Sequence, residues 1–385
     1  MQFRNLLSLT RLYIDKSDDG TIKKIFLFGL IYFKESKSRL SSELRILGFP
    51  FFKTNVSNTI EKFYLCGLPV FKKSTKHKLY NIVIDNIENQ YTDIYINYNC
   101  SGETYLFYSL FKYINQKEND KVLFIACKKY HIDICKMMCP EIKCIYLPEL
   151  FQVRSIDLQF REEYKGRIFY NILPYKHFLK LEDDIRSQSG VHYYERIFDT
   201  IGLKNENISP SIPLISEDTE KSVKYKAGKI GLNINKFIFL CPESQSNIPL
   251  QSELWKNLID NLNSLGYDVF SNVMKLSDDY GTAKSCFLTF EEAYCLASKS
   301  KGIIGLRSGL IEPLTAINNI PIVCLYSVFY ERGPLLALSA DKVLEAFSLK
   351  KLPNVNVNNI YEYNVQNYSQ KDILSVIKGE TVCLK

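Results

Sequence analysis

The sequence predicts an α/β fold: two doubly wound parallel-sheet domains preceded by a small N-terminal β-hairpin-repeat appendage. Three observations carry this. From about residue 93, short apolar runs alternate with stretches of helical periodicity. The alternation comes as two series, separated by a Pro- and Ser-bearing stretch, Asn205 to Ser222. At 385 residues the chain also exceeds what one hydrophobic core usually holds. The boundaries read as 1–80 for the appendage, 81–215 for the first α/β domain and 216–385 for the second.

The appendage is an internal repeat. Ile25 to Lys34, Arg45 to Lys53 and Lys62 to Lys72 align, with glycines at 29, 48 and 67, a period of 19, and Lys34, Lys53 and Lys72 in one phase. Each copy reads as an apolar strand, a glycine turn and a short second strand ending in lysine. Pro50 and Pro69 follow the turn in two copies, where the first has Ile31. Two readings stand: three hairpins packed as a small β unit, or a basic, aromatic surface held at an anionic membrane.

In the first series, Asp93 to Tyr98 is a strand, Asn99 to Gly102 a turn and Glu103 to Asn115 a helix, with apolar residues at 106, 107, 110, 111 and 114. Val122 to Ala126 is a strand, a helix lies around Ile132 to Met138, and Cys144 to Leu147 is a third strand. Residues 150–205 are mixed, apart from a helix from His192 to Ile201 stopped by Gly202. The second series places strands at Phe237 to Cys241, Tyr267 to Asn272, Gly302 to Leu306 and Ile322 to Tyr326. Helices fall at Glu253 to Leu265, Phe290 to Ser298, Ile311 to Ile317 and Gln370 to Lys378. The strands are nearly continuous apolar runs, as a sheet covered on both faces requires.

Composition limits the function classes. With 46% hydrophobic and 24% charged residues the chain is globular, not disordered. A net charge of +7 over this length suits an anionic small molecule or membrane surface and is too weak to indicate nucleic acid. Eleven scattered cysteines, no opening signal peptide and no run of 18 apolar residues lead us to expect a cytoplasmic protein with reduced thiols, at most peripheral on the inner face of the cytoplasmic membrane.

Ligands of such sheets bind at the carboxyl ends of strands. Four loops there are polar. Ser101, Gly102, Glu103 and Thr104 open a helix after the first strand; Glu103 could take the proton of an attacking hydroxyl, or merely complement the helix dipole. Pro242 to Asn247 offers Ser244 and Ser246 to a phosphate. Arg307, Ser308, Gly309 and Glu312 lie between a buried strand and a helix: Arg307 suits a diphosphate, Ser308 and the Gly309 backbone could close around it, and Glu312 could accept ribose hydroxyls. The alternative is an ordinary turn with an exposed arginine. The fourth loop holds Tyr330, Glu331 and Arg332.

Other clusters read as structural. Cys127, His131, Cys135 and Cys139 fall four apart, but one ends a strand and three share a helix side that reads as buried, so no metal site is assigned. Asp183-Asp184 and Asp278-Asp279 follow no buried strand and read as solvated loop or cap. Trp255 reads as core. His177 and His192 lie where an acceptor could bind.

On these residues the sequence resembles the heptosyltransferase-like inverting transferases of the two-Rossmann GT-B fold, over about 93–330. Gly102-Glu103 with Thr104 matches their first-loop Gly-acid pair, and His192 to Ile197 leading into Ile201-Gly202-Leu203 matches the helix before their linker. Pro242-Glu243-Ser244, Leu288-Thr289-Phe290-Glu291-Glu292 and Ser308-Gly309 match motifs of their second domain. The family's acid is aspartate where Glu103 stands, its basic residue after Pro242 is missing, and its Asp-Ser-Gly with a later His is here Arg307-Ser308-Gly309 with Glu312. Gly305 to Leu310 and the Gly-Leu-Pro-Val-Phe-Lys copy are similar to transferases of capsule and lipopolysaccharide clusters. The resemblance implies two Rossmann-like domains and an inverting, metal-independent glycosyltransferase with no cofactor, its nucleotide-sugar donor being a co-substrate. It implies an oligosaccharide or lipid-linked glycan acceptor, Glu103 as base, and Arg307 and Ser308 on the leaving diphosphate. No nucleic acid is expected; the hairpins leave a homodimer or a membrane contact open. A nucleotide-sugar epimerase on the same fold and a non-catalytic assembly scaffold are the alternatives.

Overall fold

The computed structural model describes residues 13–16, 22–26, 31–35, 41–46, 49–57, 60–65, 68–74, 76–115, 118–153, 158–173, 175–203, 208–273, 280–329, 337–353 and 355–380, with backbone alone for those before 79 and for 152, 153 and 175–179. Seven strands come first: β1 Tyr13–Lys16, β2 Ile22–Phe26, β3 Ile31–Glu35, β4 Ser41–Ile46, β5 Phe49–Ser57, β6 Ile60–Leu65 and β7 Leu68–Ser74. They form one antiparallel sheet in chain order, a meander. The two proline copies share an irregularity. The register shifts opposite Pro50 between Leu44 and Arg45, and opposite Pro69 between Phe63 and Tyr64, whereas Ile31, in the same phase, pairs without a shift. Proline has no N–H for the ladder, so a bulge takes its place. The repeat glycines 29, 48 and 67 lie outside the described residues.

After helix α1 (Lys76–Asp85) come β8 Asp93–Asn97, α2 Ser101–Ser109, α3 Phe111–Ile114, β9 Val122–Ala126, α4 Lys129–Met138, β10 Lys143–Tyr146, β11 Arg161–Tyr164, β12 Arg167–Asn171, α5 Tyr175–Ser187 and α6 Tyr193–Ile201. The single helix expected over 103–115 is two, separated at Leu110, whose φ is -99° and ψ 0°. The five strands form a sheet ordered β10-β9-β8-β12-β11; β12 runs parallel to β8, and β11 is an antiparallel edge.

The rest comprises α7 Glu217–Lys229, β13 Phe237–Cys241, α8 Ser252–Ser264, β14 Asp268–Asn272, β15 Lys284–Cys286, α9 Phe290–Ala297, β16 Ile303–Leu306, α10 Ile311–Leu314, β17 Ile322–Tyr326, α11 Ala340–Phe347, β18 Ile360–Asn364 and α12 Gln370–Lys378. Helix α7 occupies part of the expected connection, capped by the Ser216 hydroxyl, which accepts from Thr219 N. The last six strands are all parallel and ordered β15-β14-β13-β16-β17-β18, which is 3-2-1-4-5-6 counted from β13. The order reverses between β13 and β16, where a doubly wound sheet opens its ligand crevice. Gly305 makes that junction tight: a Cβ there would come 2.9 Å from Cys241 Cβ. The core of this part joins Ile238, Leu240, Ile304, Leu306, Val323 and Leu325 to Trp255 and Ile259 of α8 and Ile373 of α12.

By contacts the chain divides into two units, one of 1–98, 125–128 and 146–176, the other of 99–124, 129–145 and 177–385. Among the described residues no helix is long and apolar enough to cross a membrane.

Candidate functional site

Every loop singled out from sequence that is described falls in the second unit. The chain reverses its sheet order between β13 and β16, so Pro242 to Asn247 and Arg307 to Leu310 leave adjacent strands at the same end. Asn247, only 6% exposed, ties the two loops: its Nδ2 donates to Arg307 O at 2.6 Å and to Ser244 Oγ at 3.0 Å. Ser244 and Ser246 are half-buried.

The third participant is the Ser101 to Thr104 turn at the start of α2. The two glycine loops touch: a Cβ on Gly309 would lie 2.7 Å from the backbone N of Gly102, and one on Gly102 would lie 2.7 Å from Cδ of the Glu312 side chain. A side chain at Gly309 would have to displace the Gly102 backbone, and one at Gly102 the Glu312 carboxylate. Thr104 is buried and donates to Cys100 O at 2.8 Å, fixing the turn.

Helix α6 supplies the residues that join these loops. Its first two positions are Tyr193 and Tyr194, both buried. The Tyr193 hydroxyl donates to Glu103 Oε1 in a short hydrogen bond. The Tyr194 hydroxyl accepts from Arg307 Nη2 at 2.8 Å and donates to Glu312 Oε1 at 3.2 Å. Burial, with Glu103 beside it, pushes the Tyr193 phenol well above its ordinary range; burial, with Glu312 opposed by Arg307, does the same to Tyr194. Both therefore stay protonated and act as donors.

Arg307 is not an exposed turn residue. It is 7% exposed, and its guanidinium is taken up inside the protein. Nε donates to Phe347 O at 3.2 Å, Nη1 to Ser308 O at 3.1 Å, and Nη2 to Tyr194 and, as an ion pair, to Glu312. Glu312, 3% exposed, is pushed above its ordinary carboxylate value by burial, against the pull of Arg307. The two residues assigned from sequence to diphosphate and to ribose are thus both buried and pair with each other.

What is left open is mostly acceptor capacity. Glu103 Oε2, Glu312 Oε2, Asn247 Oδ1 and the Ser308 hydroxyl are buried and make no hydrogen bond among the described residues. Glu103 itself is half-buried in the first turn of α2. Such a site can take hydroxyl protons: one oxygen of Glu103 is held by Tyr193 and the other remains for a donor.

The remaining expectations are placed as follows. His192 is the N-cap of α6, half-buried, its Nδ1 3.1 Å from Glu345 O. His177 lies on α5, its side chain outside the described residues, as are 278–279 and 330–332. Asp183 is exposed beside Arg186, and Trp255 is core at 3% exposure. His131 Nε2 lies 3.0 Å from Asn99 O. No group of three His, Cys, Asp or Glu side chains among the described residues is placed to hold a metal ion. Sequence reasoning missed Tyr193, Tyr194 and Asn247; the one signal was a pair of tyrosines opening a helix already matched to a family motif.

No family model matches the chain, and no curated protein matches it. Among solved structures it is similar to the ADP-heptose LPS heptosyltransferase II of E. coli, at 13% identity and a TM-score of 0.48, over 75% of this chain and 98% of that one. It is similar also to a glycosyl transferase family 9 protein of Veillonella parvula, at 12% identity and a TM-score of 0.42, over 77% and 92% of the two chains. A third is the iron-containing dodecameric glycosyltransferase TibC of enterotoxigenic E. coli, at 13% identity and a TM-score of 0.40, over 82% and 78%.

Proposed function

We propose that the chain is a glycosyltransferase that moves a sugar from a nucleotide-sugar donor to a hydroxyl of a glycan acceptor, with inversion at the anomeric carbon. The observation that carries the reading is the state of Glu103. Its Oε1 is pinned by Tyr193, while its Oε2 is buried without a partner among the described residues, beside the loops of the β13–β16 switch point. The motif resemblance of Gly102-Glu103, Leu288 to Glu292 and Ser308-Gly309 supports the same reading.

In this mechanism the acceptor hydroxyl donates to Glu103 Oε2. Its oxygen attacks the anomeric carbon as the bond to the diphosphate breaks, the proton passes to Glu103, and the nucleoside diphosphate leaves. Ser308, the Gly309 backbone, Ser244 and Ser246 meet the leaving diphosphate, so the charge is handled without a metal. Arg307 acts by holding that loop against Tyr194, Glu312 and Phe347 O. The acceptor is an oligosaccharide or lipid-linked glycan of capsule or lipopolysaccharide synthesis, met on the cytoplasmic side.

The test is a thermal-shift screen against UDP, GDP, ADP and CMP, followed by turnover with sugars of the base that binds. One nucleotide should raise the melting temperature. Glu103→Gln should keep that rise yet lower turnover by about 100-fold or more. No rise with any nucleotide favours the scaffold reading, and unchanged turnover in Glu103→Gln removes the base.

A further inference from the structure

The register of the N-terminal meander sorts its residues onto two unlike faces. Successive residues of a strand alternate between faces, and residues paired across strands share one. The pairs Lys23 with Lys34, Lys34 with Glu43, Glu43 with Lys53 and Lys53 with Tyr64 therefore lie on one face. Two residues along, the same face takes Tyr32 with Arg45, and Asn55 with Lys62, which pairs in turn with Lys72. Each strand from β2 to β7 thus contributes one cation to this face, namely Lys23, Lys34, Arg45, Lys53, Lys62 and Lys72, against the acids Asp15 and Glu43. The 19-residue period explains the regularity, since its three in-phase lysines, 34, 53 and 72, all fall there.

The opposite face is mostly apolar, its charges being Lys16, Lys24 and Lys73 against Glu35 and Glu61. Phe33, Leu44, Phe52, Leu65 and Leu68 form one row of paired positions, and Phe26, Ile31, Ile46 and Phe49 another. A single-layer sheet has to bury its apolar face, which leaves the cationic one as the outward face. Strands are spaced ~4.8 Å, so the six cations extend over roughly 24 Å, one per strand. Tyr13, Tyr32 and Tyr64 share that face, and tyrosine is a residue of membrane interfaces.

We propose that this cationic face docks on an anionic lipid surface. A broad cationic face with interspersed tyrosines suits an extended surface of phosphate headgroups better than a nucleic acid strand, which is tracked by a groove. The inference concerns the meander and does not rest on sugar transfer.

The test uses the whole chain and sedimentation with vesicles of phosphatidylcholine alone or mixed equally with phosphatidylglycerol. The protein should sediment with the mixed vesicles, not the neutral ones, and be released by salt. Lys34→Gln/Lys53→Gln/Lys72→Gln should weaken binding on the order of 100-fold. Lys16→Gln/Lys24→Gln/Lys73→Gln makes the same change in net charge on the apolar face and should bind within about threefold of the unaltered chain. Equal loss in both variants overturns the face assignment, as does equal binding to both vesicles. Displacement from vesicles by a single-stranded oligonucleotide overturns the lipid in favour of nucleic acid. Should the first variant fail to fold, the headgroup and salt comparisons on the unaltered chain decide.

Discussion

Replacing Arg307 with methionine should destabilise the second unit strongly at neutral pH and much less in acid. The guanidinium makes hydrogen bonds at 3.2, 3.1 and 2.8 Å besides its ion pair with Glu312. Without it, Glu312 is left 3% exposed, with only the Tyr194 hydroxyl at 3.2 Å on one oxygen and no partner among the described residues on the other. Breaking a buried pair from one side costs about 3–5 kcal/mol. The pH dependence follows from the direction of the Glu312 shift. Burial already raises its carboxyl above the ordinary 4.5, and loss of Arg307 removes the main force pulling it down. The folded state then holds its proton longer than the unfolded chain does. Stability carried by that proton is present below the ordinary carboxylate range and is lost as pH climbs through the folded value. The penalty of Arg307→Met should therefore be small near pH 5 and approach its full size near pH 8. Trp255, the only tryptophan, lies in the core of the six-stranded sheet, so its fluorescence in urea reports this unit alone. Arg307→Met/Glu312→Leu should recover about 2 kcal/mol or more of the loss, a coupling that a double-mutant cycle measures. Equal penalties at both pH values, or a double variant no better than the single one, would refute a buried pair. A lost nucleotide shift with unchanged stability would instead return Arg307 to the diphosphate.

Two more outcomes follow from the same geometry. Tyr193→Phe removes the donor on Glu103 Oε1 while keeping the ring that packs 4.7 Å from Phe347. It should lower turnover by about 10-fold and stability by ~1 kcal/mol, read from kinetics and urea unfolding together. Gly309→Ala would press a methyl to 2.7 Å from Gly102 N and should cost about 1–3 kcal/mol; an unchanged melt would mean the loops are not in contact.

How much of this could be read from the sequence depends on the range of the interaction. Phe237–Cys241 and Ile322–Tyr326 were legible to the residue because a strand buried on both faces is an uninterrupted apolar run. The hairpin of β11 and β12 was not, since Arg161–Tyr164 is a charged edge strand with no apolar alternation. Helix α11 and strand β18 were also missed; Ile360–Asn364 carries polar residues and tyrosines that periodicity alone does not assign. Glu103, Arg307 and Glu312 were legible as polar residues where strand gives way to helix, a local signal. Their partners were not, because Tyr193 and Glu103 are 90 residues apart, and Tyr194 and Arg307 are 113 apart.

Those distant pairings change what the local motifs mean. Read alone, Arg307 and Glu312 are a cation and an anion offered to a ligand; in the fold they are buried and paired with each other. Adjacent positions of α6 hold both Glu103 and the Arg307–Glu312 pair, so any displacement of the helix start moves Glu103 and the Arg307 loop together. Asn247 extends the same linkage to Ser244 through Arg307 O. Glu103 and the Arg307 to Leu310 loop are thus held by one helix start, and on the proposed mechanism a substitution at Tyr194 should disturb nucleotide binding and turnover jointly even though it touches only one of the two acids directly.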